Sequence, residues 1–459
     1  MIELRNITFS RGSKKLFQNF NLIINPGEHW AIHGGNGSGK TLLLQLLAGT
    51  AHPQSGKVYH SFISGSDWDS VYKQRLEKIH LIPTHWLQAF LGSFDGLFYQ
   101  QRYYAMDDRQ LPRVRDVLAE CEQPCHAFSA DSFNITHLLD LPITRLSNGQ
   151  LKKVIILRQL ARNIPVLLLL DYPFDGLDAA SRCDFIQFIE DISAKFAIQI
   201  ILVDHGQNVP SIINRRLLLD NFTITGYDTN PITTPQTKAP KYPSQCKAVD
   251  DSPVVEIKDL TIQYNGKTII SHLDWRINKG ERWALTGKNG SGKTTLFSLI
   301  YADHPMAYSQ KVFLFGKRRG SGESIWDIKK RINYLGPEQM HFLHPKSIRS
   351  SGLDYILMQP HKNTLRLPEL VAFFDAKNYL DQPMHTLSSG QLQMVLLINM
   401  FVDERELLLL DEPFQFLDPN NHTRLTAYLT HYLSENITLV MITHDEKDAA
   451  MWTHLRKEL

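Results

Sequence analysis

The 459 residues predict an α/β architecture laid down twice in tandem, and three observations carry that prediction. Two glycine-rich loops, GGNGSGKT and GKNGSGKT, each stand between a short apolar stretch and an apolar helical pattern. Two runs of four leucines end in Asp171 and Asp411, as expected of parallel strands buried on both faces. Equivalent residues recur at nearly constant offsets: 240 residues from Asp171 to Asp411, 241 from Gln150 to Gln391 and 239 from His205 to His444. Offsets that regular mean an internal duplication covering almost the whole chain.

The first loop runs from Gly34 to Thr41 after Trp30-Ala31-Ile32, and the second from Gly287 to Thr294 after Trp283-Ala284-Leu285. Both fit G-x-x-x-x-G-K-[ST] in the strand–loop–helix setting that the pattern needs. Gly34, Gly37 and Gly39, like Gly287, Gly290 and Gly292, let the backbone wrap closely round an anion. Asn36, Ser38, Asn289 and Ser291 fill the loops between them. Amides at the helix start point at β- and γ-phosphates, Lys40 and Lys293 bring positive charge, and the hydroxyls of Thr41 and Thr294 suit Mg²⁺. Asp171 and Asp411, emerging beside the phosphates, would hold the same ion through water. From Lys40 to Gln150 is 110 residues and from Lys293 to Gln391 is 98, so the first half carries extra chain, placed around Phe94 to Gln110.

The halves differ at one position that matters for chemistry. Tyr172 follows Asp171, whereas Glu412 follows Asp411. A carboxylate there can orient and deprotonate a water attacking phosphorus; a phenol with a pKa of roughly 10 cannot at neutral pH. Hydrolysis is therefore expected at Glu412, with the first half mainly binding nucleotide.

LSNGQ (Leu146 to Gln150) and LSSGQ (Leu387 to Gln391) precede the two aspartate strands. Locally, S-x-x-Q is a capping box that opens a helix. In this order of motifs the chain resembles the ATP-binding cassette family, whose signature is LSGGQ. The resemblance implies domains with a mostly parallel core sheet, an antiparallel β-subdomain and a helical signature subdomain. It implies ATP as the nucleotide, with His205 (ILVDH) and His444 (VMITH) as switch histidines on the γ-phosphate. A strand-end histidine alone is as readily structural; the matching offset favours the phosphate. An aromatic ring stacks on adenine in the family, a place taken by Tyr264 in TIQYNG and by Arg11 in TFSRGS. The D-loops would be Asp175 to Asp178 and Gln415 to Asp418.

The family's halves pair head to tail. Carried over, Gly287–Thr294, Asp411, Glu412 and His444 would face Ser147 and Gly149. Gly34–Thr41, Asp171, Tyr172 and His205 would face Ser388 and Gly390.

A hydrophobic content of 43% leaves room for two cores, and a net charge of +2 is too mild to argue for a nucleic-acid groove. Apolar periodicity stops near Asn221, so the expected division is a first domain over 1–226, a Pro/Thr-rich linker over 227–252 and a second domain over 253–459. The most apolar stretch, VIILRQLARNIPVLLLLD, is broken by Arg158, Arg162 and Pro165, so no membrane span is expected. The strand-like start MIELRNITFS carries no signal-peptide pattern. Four cysteines suggest a reducing compartment. Cys121, Cys125 and His126 lack a second ligand pair, so no zinc site is expected.

The stretch FGKRRGSGESIWDIKKRINYLG, with Lys317 to Arg319 read as a solvated basic hairpin, resembles a tandem branch of the family associated with molybdate import. That implies a cytoplasmic ATP-binding component on the inner face of the plasma membrane, docked on a separate permease. Transport members carry a glutamine after the strand that follows the phosphate-loop region. Aligning on HLIPTHW and NYLGPEQ puts Thr84 and Pro337 there, with Gln339 out of register. Both departures weigh against a conventional permease. Two alternatives stay open: a soluble ATPase acting on ribosomes or DNA, and a regulatory nucleotide sensor.

Overall fold

The computed structural model describes residues 1–11, 14–65, 67–84, 90, 112–119, 133, 135–143, 146–177, 179–204, 209–228, 253–264, 267–287, 290–336, 349–358, 364–443 and 455–459. Residues 229–252 of the expected linker, the extra chain over 94–110 and the Cys121–His126 cluster lie outside them, whereas Tyr227 and Asp228, expected in the linker, end a strand of the first unit. The described residues form two compact units that divide between residues 228 and 253.

The first unit contains β1 (Ile2–Arg11), β2 (Lys14–Ile24), β3 (Trp30–His33), β4 (Ser55–His60), β5 (Ile79–Ile82), β6 (Leu167–Asp171), β7 (Gln199–Val203), β8 (Arg215–Asp220) and β9 (Thr223–Asp228). An antiparallel sheet has the order β2-β1-β4. The second sheet, β5-β6-β7-β3-β8-β9, is parallel through β8 and ends in an antiparallel hairpin. The second unit repeats this plan with β10 (Pro253–Tyr264), β11 (Lys267–Asn278), β12 (Arg282–Thr286), β13 (Lys311–Leu314), β14 (Lys317–Arg318), β15 (Ile332–Leu335), β16 (Leu407–Asp411), β17 (Thr438–Ile442) and β18 (Leu455–Glu458). Its sheets are β11-β10-β13-β14, antiparallel, and β15-β16-β17-β12-β18, all parallel.

The leucine runs explain the layering. Side chains alternate across a strand, and on β6 Leu167 and Leu169 enter the core beneath the antiparallel sheet. Leu168 and Leu170 enter the core on the helical side. On β16 the same division puts Leu407 and Leu409 on one face and Leu408 and Leu410 on the other. A strand covered on both faces has no use for a polar residue until it emerges, which is where each aspartate stands.

The basic hairpin differs from the expectation of a solvated charge run. Lys317 and Arg318 are exposed, but Arg319 is 2% exposed. Its amide donates to the Val312 carbonyl, which turns the side chain inward, and its guanidinium lies 5.1 Å from the Tyr308 ring centroid. The ring face stands in for part of the lost hydration.

Candidate functional site

Each glycine-rich loop follows an inner strand of its sheet, β3 or β12, and feeds a helix, Lys40–Ala48 or Lys293–Ile300. Gly39 (φ +102) and Gly292 (φ +98) sit at the N-cap with no side-chain cap, so the first helical amides are left for an anion. The close approaches are at the loop entry. A Cβ on Gly34 would lie 2.0 Å from the Leu219 carbonyl oxygen, and one on Gly287 would lie 2.5 Å from that of Leu459. Asn36, Gly37 and Ser38 form the body of the first loop, tied down by the Phe222 amide donating to the Ser38 carbonyl. Gly290 and Ser291 do the same in the second, and Asn289 lies outside the described residues.

Lys40 and Lys293 are buried, with their ammonium groups turned into the loops. Lys40 Nζ donates to the carbonyls of Gly34 (2.8 Å) and Gly35 (2.7 Å), and Lys293 Nζ to that of Gly287 (2.7 Å). The charge expected for phosphate is therefore held at the cradle by the loop's own backbone.

Thr41 Oγ1 donates to Asp171 Oδ2 at 2.9 Å, and Thr294 Oγ1 to Asp411 Oδ2 at 3.0 Å. One strand, β7 or β17, separates the aspartate strand from the loop's own strand, yet the side chains meet because parallel strands present all their C-terminal ends on one edge. Asp171 is 2% exposed, and its Oδ1 has no hydrogen-bond partner among the described residues. Burial pushes its carboxyl pKa up, opposed by the bonds from Thr84 and Thr41 and by the nearby Lys40 charge. A glycine cradle, an ammonium and an all-oxygen hydroxyl–carboxylate pair fit a nucleotide triphosphate and a hard divalent cation. Bound Mg²⁺ would supply neutralisation of charge on the β- and γ-phosphate oxygens.

Thr84 is the residue that sequence reasoning undervalued. It fills the slot where a glutamine was expected, and its hydroxyl donates to Asp171 Oδ2 at 2.8 Å. Two threonines thus converge on one carboxylate oxygen. The only available signal was a hydroxyl two residues beyond an apolar strand end.

Tyr172 and Glu412 occupy the same backbone slot. Their φ values are +51 and +53, and their amides donate to the carbonyls of Val203 (3.1 Å) and Ile442 (3.0 Å). Tyr172 packs partly against the apolar core, with Lys40 Nζ 5.8 Å from its ring centroid. Glu412 is half-buried.

The two signature motifs are capped helix starts. Ser147 Oγ accepts from the Gln150 amide (3.2 Å) and Gln150 Oε1 from the Ser147 amide (2.9 Å). Ser388 and Gln391 repeat this at 3.2 and 3.0 Å. Gly149 and Gly390 are buried within their own units. Arg11 and Tyr264 take matching hairpin positions, paired with Lys14 and Lys267. Their side chains, together with His205, His444, Asp178, Pro337 and Gln339, lie outside the described residues.

A family model for ABC transporters matches residues 17–175 and 270–415, covering both loops, both signatures and both aspartate strands. The chain belongs to the ABC family of ATPases. ABC transporter ATP-binding protein ModF of Escherichia coli is 30% identical over 482 residues, covering 97% of this chain and 94% of its own length. An uncharacterized ABC transporter ATP-binding protein of Schizosaccharomyces pombe is 29% identical, over 97% and 95%. Among solved structures, this tandem ABC ATPase shares its fold with the archaeal ribosome recycling factor aABCE1 in complex with the stalk protein aP1. That likeness has a TM-score of 0.57 at 15% identity, over 99% of this chain and 87% of that one. A model of ribosome-bound archaeal Pelota and ABCE1 gives 0.58 at 19% identity, over 96% and 74%. No helix among the described residues is long and apolar enough to cross a membrane.

Proposed function

We propose that this tandem ABC ATPase hydrolyses ATP-Mg²⁺ chiefly in the pocket carrying Glu412, whose carboxylate deprotonates the attacking water, and mainly holds ATP in the pocket carrying Tyr172. The observation that supports it is the equivalence of the two slots: with the same φ and the same amide bond, only side-chain chemistry separates them. Thr41, Asp171, Thr294 and Asp411 are assigned to Mg²⁺, and His444 and His205 to the γ-phosphate. Following the family's head-to-tail pairing, Ser147 and Gly149 serve the Glu412 pocket, and Ser388 and Gly390 the other.

Glu412→Gln should lower kcat by about 10²- to 10⁴-fold while ATP is still retained on a filter. Tyr172→Phe should leave kcat near the parent value. Equal losses in the two variants would overturn the assignment.

We further propose that the chain is the cytoplasmic energising component of a separate membrane permease, molybdate being the candidate cargo. Likeness to ModF along nearly the full length supports this. A second reading, action on a ribosome without a permease, is favoured by Thr84, which is committed to Asp171 where a transport-type glutamine would stand. Capture of the tagged chain from solubilised native membranes with ATP distinguishes them. Recovery of a permease supports the first; recovery of ribosomes or nucleic acid with no membrane protein rejects it.

A further inference from the structure

The two units can be aligned in sequence through their aspartate strands, and one largely buried cluster changes its charge while keeping the bond from the signature helix to the turn beyond the aspartate strand. In the first unit Lys152 lies on the signature helix, Asn148–Arg162, with its Nζ donating to the carbonyls of Pro173 (2.8 Å) and Asp175 (2.6 Å). The matching residue on helix Ser389–Val402 is Gln393, whose Nε2 donates to the carbonyl of Pro413 (3.2 Å). Asp175 is matched by Gln415, and each amide closes the same turn, onto Tyr172 O (3.4 Å) or Glu412 O (3.1 Å). Arg182, 4.8 Å from the Phe174 ring centroid, is matched by His422, 4.5 Å from that of Phe414. Asp204, which accepts from Arg182 Nη2 at 3.2 Å, is matched by the buried Thr443. Four charged groups in one unit correspond in sequence to two glutamines, a histidine and a threonine in the other.

We propose that Lys152, Asp175, Arg182 and Asp204 form a charge-balanced positioning quartet. It ties the first unit's signature helix to the turn after Tyr172 and to the end of β7, a tie that the second unit makes with a glutamine in place of the buried lysine. Lys152 and Asp175 are its titrating members. Burial pulls the lysine's pKa down and the nearby Asp175 opposes this; burial pushes the aspartate's pKa up, the Asp204 carboxylate adds to that, and Lys152 opposes it. Burial works against both charges, and each partly offsets that cost for the other. Among the described residues, other charged or titratable groups nearby are Asp171 on β6, the Lys153–Asp184 ion pair at 2.6 Å, and His33 on β3, whose Nδ1 meets the Asp204 carbonyl and on which Arg216 of β8 and Lys40 of the phosphate-loop helix both act.

Breaking a buried pair from one side costs far more than replacing both partners. The test uses the full chain with Lys152→Gln, Asp175→Gln and the double replacement, which imports the second unit's residues. ATPase rate and thermal midpoint are read from about pH 6 to about pH 9. In Lys152→Gln the stranded carboxylate is relieved by taking up a proton, so the optimum should move down by about one pH unit, a tenfold change in proton affinity. In Asp175→Gln the stranded ammonium is relieved by losing one, so the optimum should move up by a similar amount. The double variant should return to the parent profile. Shifts in the same direction, no shift in either single variant, or a double variant that keeps a shift would overturn the quartet. Should a single variant fail to fold, the double decides: a folded protein with the parent profile supports the proposal, and any other result rejects it. None of this depends on which pocket hydrolyses ATP.

Discussion

Replacing Thr84 with valine keeps the side chain's shape and deletes one hydroxyl. That hydroxyl donates at 2.8 Å to Asp171 Oδ2, which also accepts from Thr41 at 2.9 Å. The carboxylate is 2% exposed, so water cannot readily replace the lost donor. A hydrogen bond to a charged group contributes about 1.5–3 kcal/mol. At 1.4 kcal/mol per tenfold, that corresponds to a change of about 10- to 150-fold. The direction follows from Asp171 itself: burial already raises its pKa, and removing an opposing bond raises it further, so less carboxylate is available to Mg²⁺ at neutral pH. The assay titrates Mg²⁺ against a fluorescent ATP analogue in a Lys293→Ala background, where only the first pocket reports. Half-saturating Mg²⁺ should rise at least about tenfold in Thr84→Val, and Thr84→Ser should stay near the parent. A folded Thr84→Val protein with unchanged Mg²⁺ dependence would show that the Thr84 bond does not govern the charge on Asp171.

Two further outcomes are expected. Burial holds the pKa of His60 down to about 4, with Nε2 as the nitrogen that donates to the Leu47 carbonyl. The folded state then binds fewer protons than the unfolded chain below the ordinary value of 6.5, so stability is lost as pH falls from 6.5 to about 4. The loss is up to about 3 kcal/mol at 1.36 kcal/mol per unit, and His60→Gln should flatten this slope in urea unfolding of the first unit; an unchanged slope counts against it. Gly34→Ala should remove one of two nucleotide sites in calorimetric titration, because its Cβ would stand 2.0 Å from a backbone carbonyl at a φ of +153. Persistence of both sites would show that the loop can open at that point.

Most of the architecture was legible locally. The leucine runs demanded strands covered on both faces, and β6 and β16 have them. The S-x-x-Q motifs demanded capped helices, and Ser147 and Ser388 each complete a capping box. Threonine–aspartate pairing was foreseeable once a loop and a strand end were assigned to one sheet edge. Three features were not legible. Thr84 looked like a missing glutamine, Arg319 like a solvated charge, and Lys152 like an ordinary helix lysine, because each owes its role to partners brought by the fold: Thr84 to Asp171, 87 residues away, Lys152 to the turn at Asp175, 23 away, and Arg319 to the ring of Tyr308.

What the amino-acid order determined by itself was the duplication, the phosphate cradles, the aspartate strands and the contrast between Tyr172 and Glu412. Those rest on backbone conformation and on periodic burial, which short segments encode. Tertiary structure alone decided that two threonines share one carboxylate oxygen and that four charged groups, two of them on the buried Lys152 and Asp204, gather in a single unit. Desolvation and charge pairing depend on what surrounds a group in space, and neighbours in space are not neighbours in the chain.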